Sequence, residues 1–354
     1  MFIPKTYTVE SVTSGHPDKV CDQISDAILD ACLSQDPMSR VAVESFGGHG
    51  FVVVGGEVTT NAKVDYEAVA KKVYKALGYD QELKFLINIV HQSPDIAQGV
   101  DTGGAGDQGI MYGFATDETP EFLPTAIVKV HALAKGLEDL RTTQGAPREI
   151  SWIKPDGKTQ ITVIDGVVKT VLVSAQHDKM VSHEEIKKTL TEKLIKPIMG
   201  DISGIEILVN PTGRFAQGGF EADTGLTGRK IMVDTYCGLI SHGGGCFSGK
   251  DPTKVDRSGA YMARFAAKNL VANGYAKQCL VSLAYAIGRA EPLMVEAINE
   301  KGESLSEIAK GKFDFRPKAI IEKLDLRRPI YQQTAAYGHF GRENLPWEAI
   351  VDIK

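Results

Sequence analysis

Apolar residues recur at helical spacing over residues 19–34, where Val20, Ile24, Ala27, Ile28 and Ala31 share one face, and this predicts a helix. The stretches 41–46 and 51–60 are rich in β-branched residues and read as strands. A second amphipathic helix is expected over 65–77, with Gly78 as its stop. A longer one starts near Thr119-Pro120 and carries Leu123, Ile127, Val130, Ala134 and Leu137. Asp165-Gly166, between 161–164 and 167–173, is a hairpin signal. Ser182 with Glu185 forms a capping box that opens a helix ending near Pro197. Strands are expected at 205–209, 230–235 and 280–287, a helix over 256–272, and shorter helices near Ser304 and Pro317. The mixture predicts an α/β (α+β) chain with three similar-sized mixed sheets and helices packed on them. No sequence repeat is visible.

The 354 residues, 43% of them hydrophobic, can build a large core divided among several domains. A formal charge of −5 argues against non-specific nucleic-acid binding. No apolar run approaches the roughly 20 residues that cross a bilayer, and residues 1–10 lack the basic start and apolar stretch of a secretory signal, so a cytoplasmic location is expected. Five widely spaced cysteines without metal-like pair spacing read as reduced thiols with packing roles.

The chemistry concentrates around position 250. Gly243-Gly244-Gly245-Cys246-Phe247-Ser248-Gly249-Lys250-Asp251, then Lys254, Asp256 and Arg257, combine permissive backbone, cations and carboxylates. Glycines let the main chain approach phosphate oxygens, lysines neutralise them, and a carboxylate can hold the accompanying divalent cation. A polyphosphate and metal site is implied.

Four further places carry more polar and glycine chemistry than a core requires. In Ser14-Gly15-His16-Pro17-Asp18-Lys19, just before a predicted helix, His16 and Asp18 are set to address one anionic ligand, although a plain capping turn accounts for the same residues. Gly99 to Gly109 holds five glycines around Asp101 and Asp107, and its 104–109 run suits a lid, against the simpler reading of a loop tip. Asp156-Gly157-Lys158 on its own reads as a hairpin turn. Asn210-Pro211-Thr212-Gly213-Arg214-Phe215, Asp223 and Gly228-Arg229-Lys230 put three cations and an aromatic near two strand ends, where a solvated charge cluster is the plain alternative.

Taken in order, these motifs resemble the S-adenosylmethionine synthetase (methionine adenosyltransferase) family of bacterial type, nearly from end to end. The resemblance is carried by GHPDK at 15–19, Gly55-Gly56-Glu57, Gln92-Ser93-Pro94-Asp95-Ile96 and GAGDQG at 104–109. It continues through NPTGRF at 210–215, DTGLTGRKIMVDTY at 223–236, GGGCFSGKDPTKVDRS at 243–258 and TAAYGHFGRE at 334–343. Two departures stand out: a shorter loop between Gln98 and Gly104 than in many bacterial members, and Cys246 in place of the usual alanine.

The resemblance implies three pseudo-symmetric domains over 1–98, 104–217 and 219–354, with a mobile active-site loop at 92–103. It implies attack of the methionine sulfur on ribose C5′ of ATP, departure of the triphosphate, and its hydrolysis to phosphate and diphosphate. His16, Lys158, Arg229 and Lys250 would be catalytic. These four, with Asp156, Arg214, Phe215, Asp223, Lys230 and Cys246, would bind ATP. Glu57, Gln92, Asp107, Asp223 and Lys254 would bind methionine. Asp18 and Asp256 would hold magnesium, two ions per site, and Glu44 one potassium. A homodimer with shared active sites, paired into a homotetramer, is implied, with no nucleic-acid or membrane partner. The alternative is another magnesium-dependent nucleotide-hydrolysing or nucleotide-sensing protein, but no Gly-x-x-x-x-Gly-Lys-Ser/Thr segment supports a Walker-type enzyme.

Overall fold

The computed structural model of the chain describes residues 2–91, 104–142 and 150–354. Strand β1 (Tyr7–Val12) leads into helix α1 (Pro17–Leu33), then β2 (Arg40–Gly48), β3 (Phe51–Thr59), α2 (Tyr66–Ala76) and β4 (Lys84–Val90). A second series follows: β5 (Gly109–Thr116), α3 (Thr125–Thr142), β6 (Ile153–Ile164), β7 (Val167–His177), α4 (His183–Leu190), α5 (Lys196–Met199) and β8 (Glu206–Val209). A third comprises β9 (Gly225–Leu226), α6 (Ile231–Asp234), α7 (Val255–Ala272), β10 (Gln278–Tyr285), β11 (Met294–Asn299), α8 (Ser306–Lys312) and α9 (Pro317–Lys323).

Local chemistry sets many of these boundaries as expected. Asp65 caps α2 by accepting from Ala68 N at 3.0 Å, an interaction worth about 1 kcal/mol, and Gly78 takes φ +91° just beyond its end. Asp165 and Gly166 both adopt positive φ, the turn that matches strand twist between β6 and β7. Ser182 Oγ accepts from Glu185 N at 3.2 Å to open α4.

Other expectations need correction. The helix expected from residue 119 begins at Thr125, because Thr119 and a positive-φ Phe122 form a turn, with Phe122 N donating to Thr119 O at 2.9 Å. The helix expected to end near Pro197 runs on through a π-type turn, Thr191–Ile195, to Met199, and Pro197 lies just past that turn. The stretch 230–235 is no strand. Its centre coils as α6, with Asp234 N donating to Lys230 O at 2.8 Å, because Asp234 must reach the buried Lys19. Asp156-Gly157-Lys158 is no turn either: it lies inside β6, where the pairing with β7 shifts register between Ile153 and Gly157. Strands β1, β4, β5, β9 and β11 were not expected from the sequence pattern.

The pairing shows a repeat that the sequence hides. β1 joins β6-β7-β8, β5 joins β10-β11, and β9 joins β2-β3-β4. Each series of elements therefore gives its first strand to another series' hairpin, and the exchange closes in a ring. The long helices α1, α3 and α7 each pack on the sheet holding their own hairpin and the strand it receives. Helix α7 is buried over nearly its whole length, and Gly113 of β5 lies so close that a Cβ there would stand 2.0 Å from the Ala263 carbonyl carbon. The charges inside are paired: Arg264 and Lys268 share Glu348 at 2.9 and 2.8 Å, and Lys19 meets Asp22 and Asp234 at 2.8 and 2.5 Å.

Candidate active site

Helix α1 carries aspartates at every fourth position, 18, 22, 26 and 30, which places them along one face. Each fastens a segment from beyond residue 225. Asp18 Oδ1 accepts from Leu226 N at 3.0 Å and Asp22 Oδ1 from Gly228 N at 2.8 Å. Asp26 Oδ1 accepts from Gly249 N at 2.8 Å, and Asp30 accepts from Tyr331 N and Gln332 N at 3.0 and 2.8 Å. The helix thus fixes the 225–230 turn and the glycine-rich 243–250 loop to one rigid element. Sequence reasoning missed Asp22, Asp26 and Asp30, although their i, i+4 spacing in a buried helix was the available signal.

His16 caps α1 in extended backbone conformation, so the 15–19 motif straddles the helix start instead of preceding it. Its Nδ1 accepts from Asp18 N at 3.2 Å, which leaves the proton on Nε2 as a free donor. Burial, with Lys230 and Lys158 nearby, pushes the His16 pKa down to about 2, so the imidazole is neutral at any working pH. The turn before it is docked on β6: Thr13 N donates to Gly157 O at 3.0 Å, and a Cβ on Gly15 would strike Pro155 at 2.5 Å. The irregular stretch of β6 that replaces the expected turn holds Asp156 and Lys158 beside this loop.

Asp18 Oδ2 lies 2.5 Å from Lys230 Nζ, and its Oδ1 lies 3.5 Å from Arg229 Nε. Asp156 Oδ2 accepts from Gly219 N at 2.9 Å, tying down the segment that leads to Asp223, while Asp156 Oδ1 is buried without a hydrogen-bond partner. Burial raises the Asp156 pKa to about 6 despite that backbone bond and the Lys158 charge. His16, Asp18, Asp156, Lys158, Asp223, Arg229 and Lys230 therefore form one cluster.

A second cluster surrounds the glycine-rich loop. A cavity of about 450 Å³ is walled by Glu44, Glu57, Leu226, Cys246, Ser248 and Lys250, among others, and Ser248 Oγ is buried there without a partner. Lys250 Nζ is 2.6 Å from Asp256 Oδ2, and a Cβ on Gly245 would stand 2.1 Å from Asp256 Oδ1, so that glycine keeps open the space the carboxylate occupies. Burial raises the Cys246 thiol pKa to about 11, which keeps it protonated. All five cysteines are free thiols. The clusters meet where Gly228 packs on Cys246, so closely that a Cβ on the glycine would stand 2.5 Å from Cys246 Cβ.

Four predicted site residues stand apart from both clusters' contacts. Lys254 Nζ is engaged by buried Asp251 at 2.5 Å, and Asp107 Oδ1 accepts from Gln108 N at 2.7 Å. Phe215 N donates to His177 Nε2 at 2.9 Å, and Arg214 on the same segment is exposed. Gln92 and the 92–103 loop lie outside the described residues. A larger cavity, about 840 Å³, lies between residues 291–295 and 310–316 and holds none of the predicted residues.

Among the described residues no three His, Cys, Asp or Glu side chains gather as a protein-only metal cage. That suits magnesium carried in on a polyphosphate, which takes one or two carboxylates and completes its shell with phosphate oxygens and water. Asp18 and Asp256 fit that donor set, each paired with a lysine, Lys230 and Lys250 respectively.

Three family descriptions match consecutively: the S-adenosylmethionine synthetase N-terminal domain over residues 4–98, the central domain over 102–215 and the C-terminal domain over 217–349. The chain is 50% identical to an S-adenosylmethionine synthase of Pseudothermotoga lettingae, covering 99% of this chain and 98% of that protein. It is 49% identical to one of Treponema denticola, covering 97% and 95%, and 48% identical to one of Petrotoga mobilis, covering 98% and 97%. With ordered motifs, three adjoining domain matches and relatives half identical over almost their whole length, the chain belongs to the S-adenosylmethionine synthetase family.

Proposed function

We infer that this chain forms S-adenosylmethionine from ATP and L-methionine, as a methionine adenosyltransferase, and then splits the released triphosphate into phosphate and diphosphate. The observation that carries the chemistry is a neutral imidazole donor, His16, seated among Lys158, Lys230 and Arg229. A thioether sulfur needs no base to attack carbon, so the barrier must fall through alignment and through stabilising the departing triphosphate. His16 Nε2–H donates to the oxygen bridging C5′ and the triphosphate as charge develops there. Lys158, Arg229, Lys230 and Lys250 grip the phosphates. A unit charge at 4 Å contributes about 4 kcal/mol at an effective dielectric of 20, and about 1.4 kcal/mol off a barrier is tenfold in rate.

Asp18 and Asp256 would hold two magnesium ions, whose charge would offset that of the polyphosphate, and Glu44 a potassium ion that orders the second cluster. Asp156, Arg214, Phe215 and Cys246 complete the nucleotide contacts, with Phe215 stacking on adenine. Glu57, Gln92, Asp107, Asp223 and Lys254 bind methionine, Asp107 at its ammonium and Lys254 at its carboxylate. The working site is shared in a homodimer, two of which pair as a tetramer in the cytoplasm. Exposed apolar side chains on the strands, including Leu86, Val90 and Ile110, support the dimer. No helix among the described residues is long and apolar enough to cross a membrane.

Incubation of the purified protein with ATP, magnesium, potassium and methionine, read by mass spectrometry, tests the reading. S-adenosylmethionine should appear only with all substrates present. ATP breakdown at the same rate without methionine, and no sulfonium product from folded protein, would sink it.

A further inference from the structure

The cleft between α3 and the returning segment 337–342 carries chemistry that the reaction does not use. It encloses about 230 Å³, with Val128 and Ala132 of α3 facing Phe340 across an apolar floor and Arg342 at its wall. Three arginines lie in this part of the protein, and two have carboxylates: Arg257 with Asp26 at 2.7 Å and Arg264 with Glu348 at 2.9 Å. Arg342 differs. Its Nη1 donates only to the Ala336 and Gly338 carbonyls, at 3.1 and 3.5 Å, and among the described residues no carboxylate lies within 4.0 Å of it. Burial accordingly pulls its pKa below the usual arginine value, whereas those of Arg257 and Arg264 are raised. A half-buried guanidinium without a counterion is unfavourable unless an anion arrives from outside.

We propose that this cleft binds a small monocarboxylate with a hydrocarbon body, its carboxylate on Arg342 and its chain against Val128, Ala132 and Phe340. The other charges on the wall select that class. Lys135 is already neutralised by Glu138 and Asp139 at 3.3 and 2.5 Å, and Glu121 also lines the cleft, so a second negative charge on the ligand meets repulsion and not a partner. Inorganic phosphate is therefore disfavoured, and the apolar floor favours a hydrocarbon tail.

Occupancy is transmitted to the catalytic turn. Tyr337, on the cleft wall and held at φ +65°, accepts at its hydroxyl from Ser14 N at 2.9 Å. Ser14 Oγ in turn donates to Glu138 at 2.9 Å, and Glu138 is the partner of Lys135. Ser14 stands two residues before His16. A ligand that shifts Tyr337 or Lys135 thus acts on the backbone that positions the leaving-group donor.

Calorimetric titration of the full-length protein with hexanoate, its neutral amide hexanamide, and inorganic phosphate tests the site, followed by hydrogen exchange of the segment containing Ser14 with saturating hexanoate. Hexanoate should bind roughly tenfold or more tightly than hexanamide, the effect of one charge-assisted pair. Val128→Phe should remove binding by filling the cleft, and Arg342→Gln should reduce hexanoate to the level of the amide. Equal binding of acid and amide, unchanged hexanoate binding in folded Val128→Phe, or stronger competition by phosphate would overturn the site. If Arg342→Gln does not fold, Val128→Phe and the amide comparison still decide. Unaltered exchange at Ser14 under saturating hexanoate would overturn the coupling. None of these readouts requires adenosyl transfer, so failure here is separable from failure of the enzymatic reading.

Discussion

Lys230 Nζ rests 2.5 Å from Asp18 Oδ2, a contact between residues 212 positions apart that joins the first turn of α1 to the turn after β9. In the proposed function it would set a phosphate-binding cation against a magnesium-binding carboxylate, the two neutralising each other until a metal-bound polyphosphate separates them. Asp18→Asn keeps an acceptor for Leu226 N but loses the charge. The magnesium concentration for half-maximal rate should rise about tenfold or more. Rate measurements over a magnesium titration at fixed ATP check this, and a curve matching the wild type would remove Asp18 from the metal site.

His16→Ala should bind ATP almost normally yet transfer the adenosyl group at least about a hundredfold more slowly, because in the proposed role its Nε2–H would strengthen its contact only as the leaving oxygen gains charge. Since the imidazole is neutral down to about pH 2, no rate step near pH 6.5 should trace to this residue. Equilibrium nucleotide binding and single-turnover kinetics separate the two effects. Parallel losses in affinity and turnover would assign His16 to ground-state binding instead.

Asp26 and Arg257 form a two-pronged pair at 2.7 and 2.8 Å, both fully buried, and the same Asp26 oxygen holds Gly249 N. Asp26→Ala leaves a guanidinium without its counterion inside the protein. A loss of about 3–5 kcal/mol is expected, measured by urea unfolding against wild type. The double change Asp26→Ala with Arg257→Met should recover part of it, which a simple cavity effect would not do.

Gly245→Ala isolates the second cluster. The glycine does not need positive φ, and the nearest atoms to an added methyl are those of the Asp256 carboxylate, at 2.1 Å, so the carboxylate paired with Lys250 must shift. A raised magnesium requirement with little change in unfolding temperature is expected. Gly311→Ala serves as the control, since a Cβ there meets nothing within 4 Å. Equal behaviour of the two variants in the magnesium titration would argue against a metal role for Asp256.

What the sequence made legible was the part written in short-range chemistry. Caps at Asp65 and Ser182, the Asp165-Gly166 turn and the periodicity of α1 and α7 are decided within a few residues of themselves, and the structure keeps them. What it hid was decided at a distance. The 230–235 run has strand-like composition, but Lys19 draws Asp234 into the core and the backbone coils to deliver it. Asp156-Gly157 has turn composition, yet β1 and β7 flank it and make it strand. The ring of exchanged strands has no local signature, because β1, β5 and β9 each pair with hairpins remote in sequence. Family motifs pointed to the candidate site residues, but they could not say that most of these fall into two clusters on one chain, or that the aspartate row of α1 fastens a segment of each.

His131 supplies a test of the core between α3 and β1. It is buried, its Nδ1 lies 2.9 Å from Ser11 Oγ and its Nε2 4.0 Å from Cys237 Sγ, and the charges of Lys19 and Arg342 add to burial in pushing its pKa down to about 4. In the unfolded chain the ring would titrate near 6.5. Between those values the unfolded state binds the extra proton, so this residue's contribution to stability is small at pH 4, grows as pH rises, and is complete above about 6.5. Its full size is roughly 3 kcal/mol for a shift of about 2.5 units. Asp30 and Asp156, both raised to about 6, act in the opposite sense over nearly the same range, since each binds its proton more tightly when folded and loses stability as pH rises. The wild-type profile therefore mixes the two, and the measurement is the difference between wild type and His131→Gln in urea unfolding from pH 4 to 7.5. The lost Ser11 contact gives a constant offset, while the titration gives a slope. The difference should widen by about 3 kcal/mol across that interval and then stay level. A flat difference would mean that the folded protein holds His131 at an ordinary pKa, and that water reaches the ring.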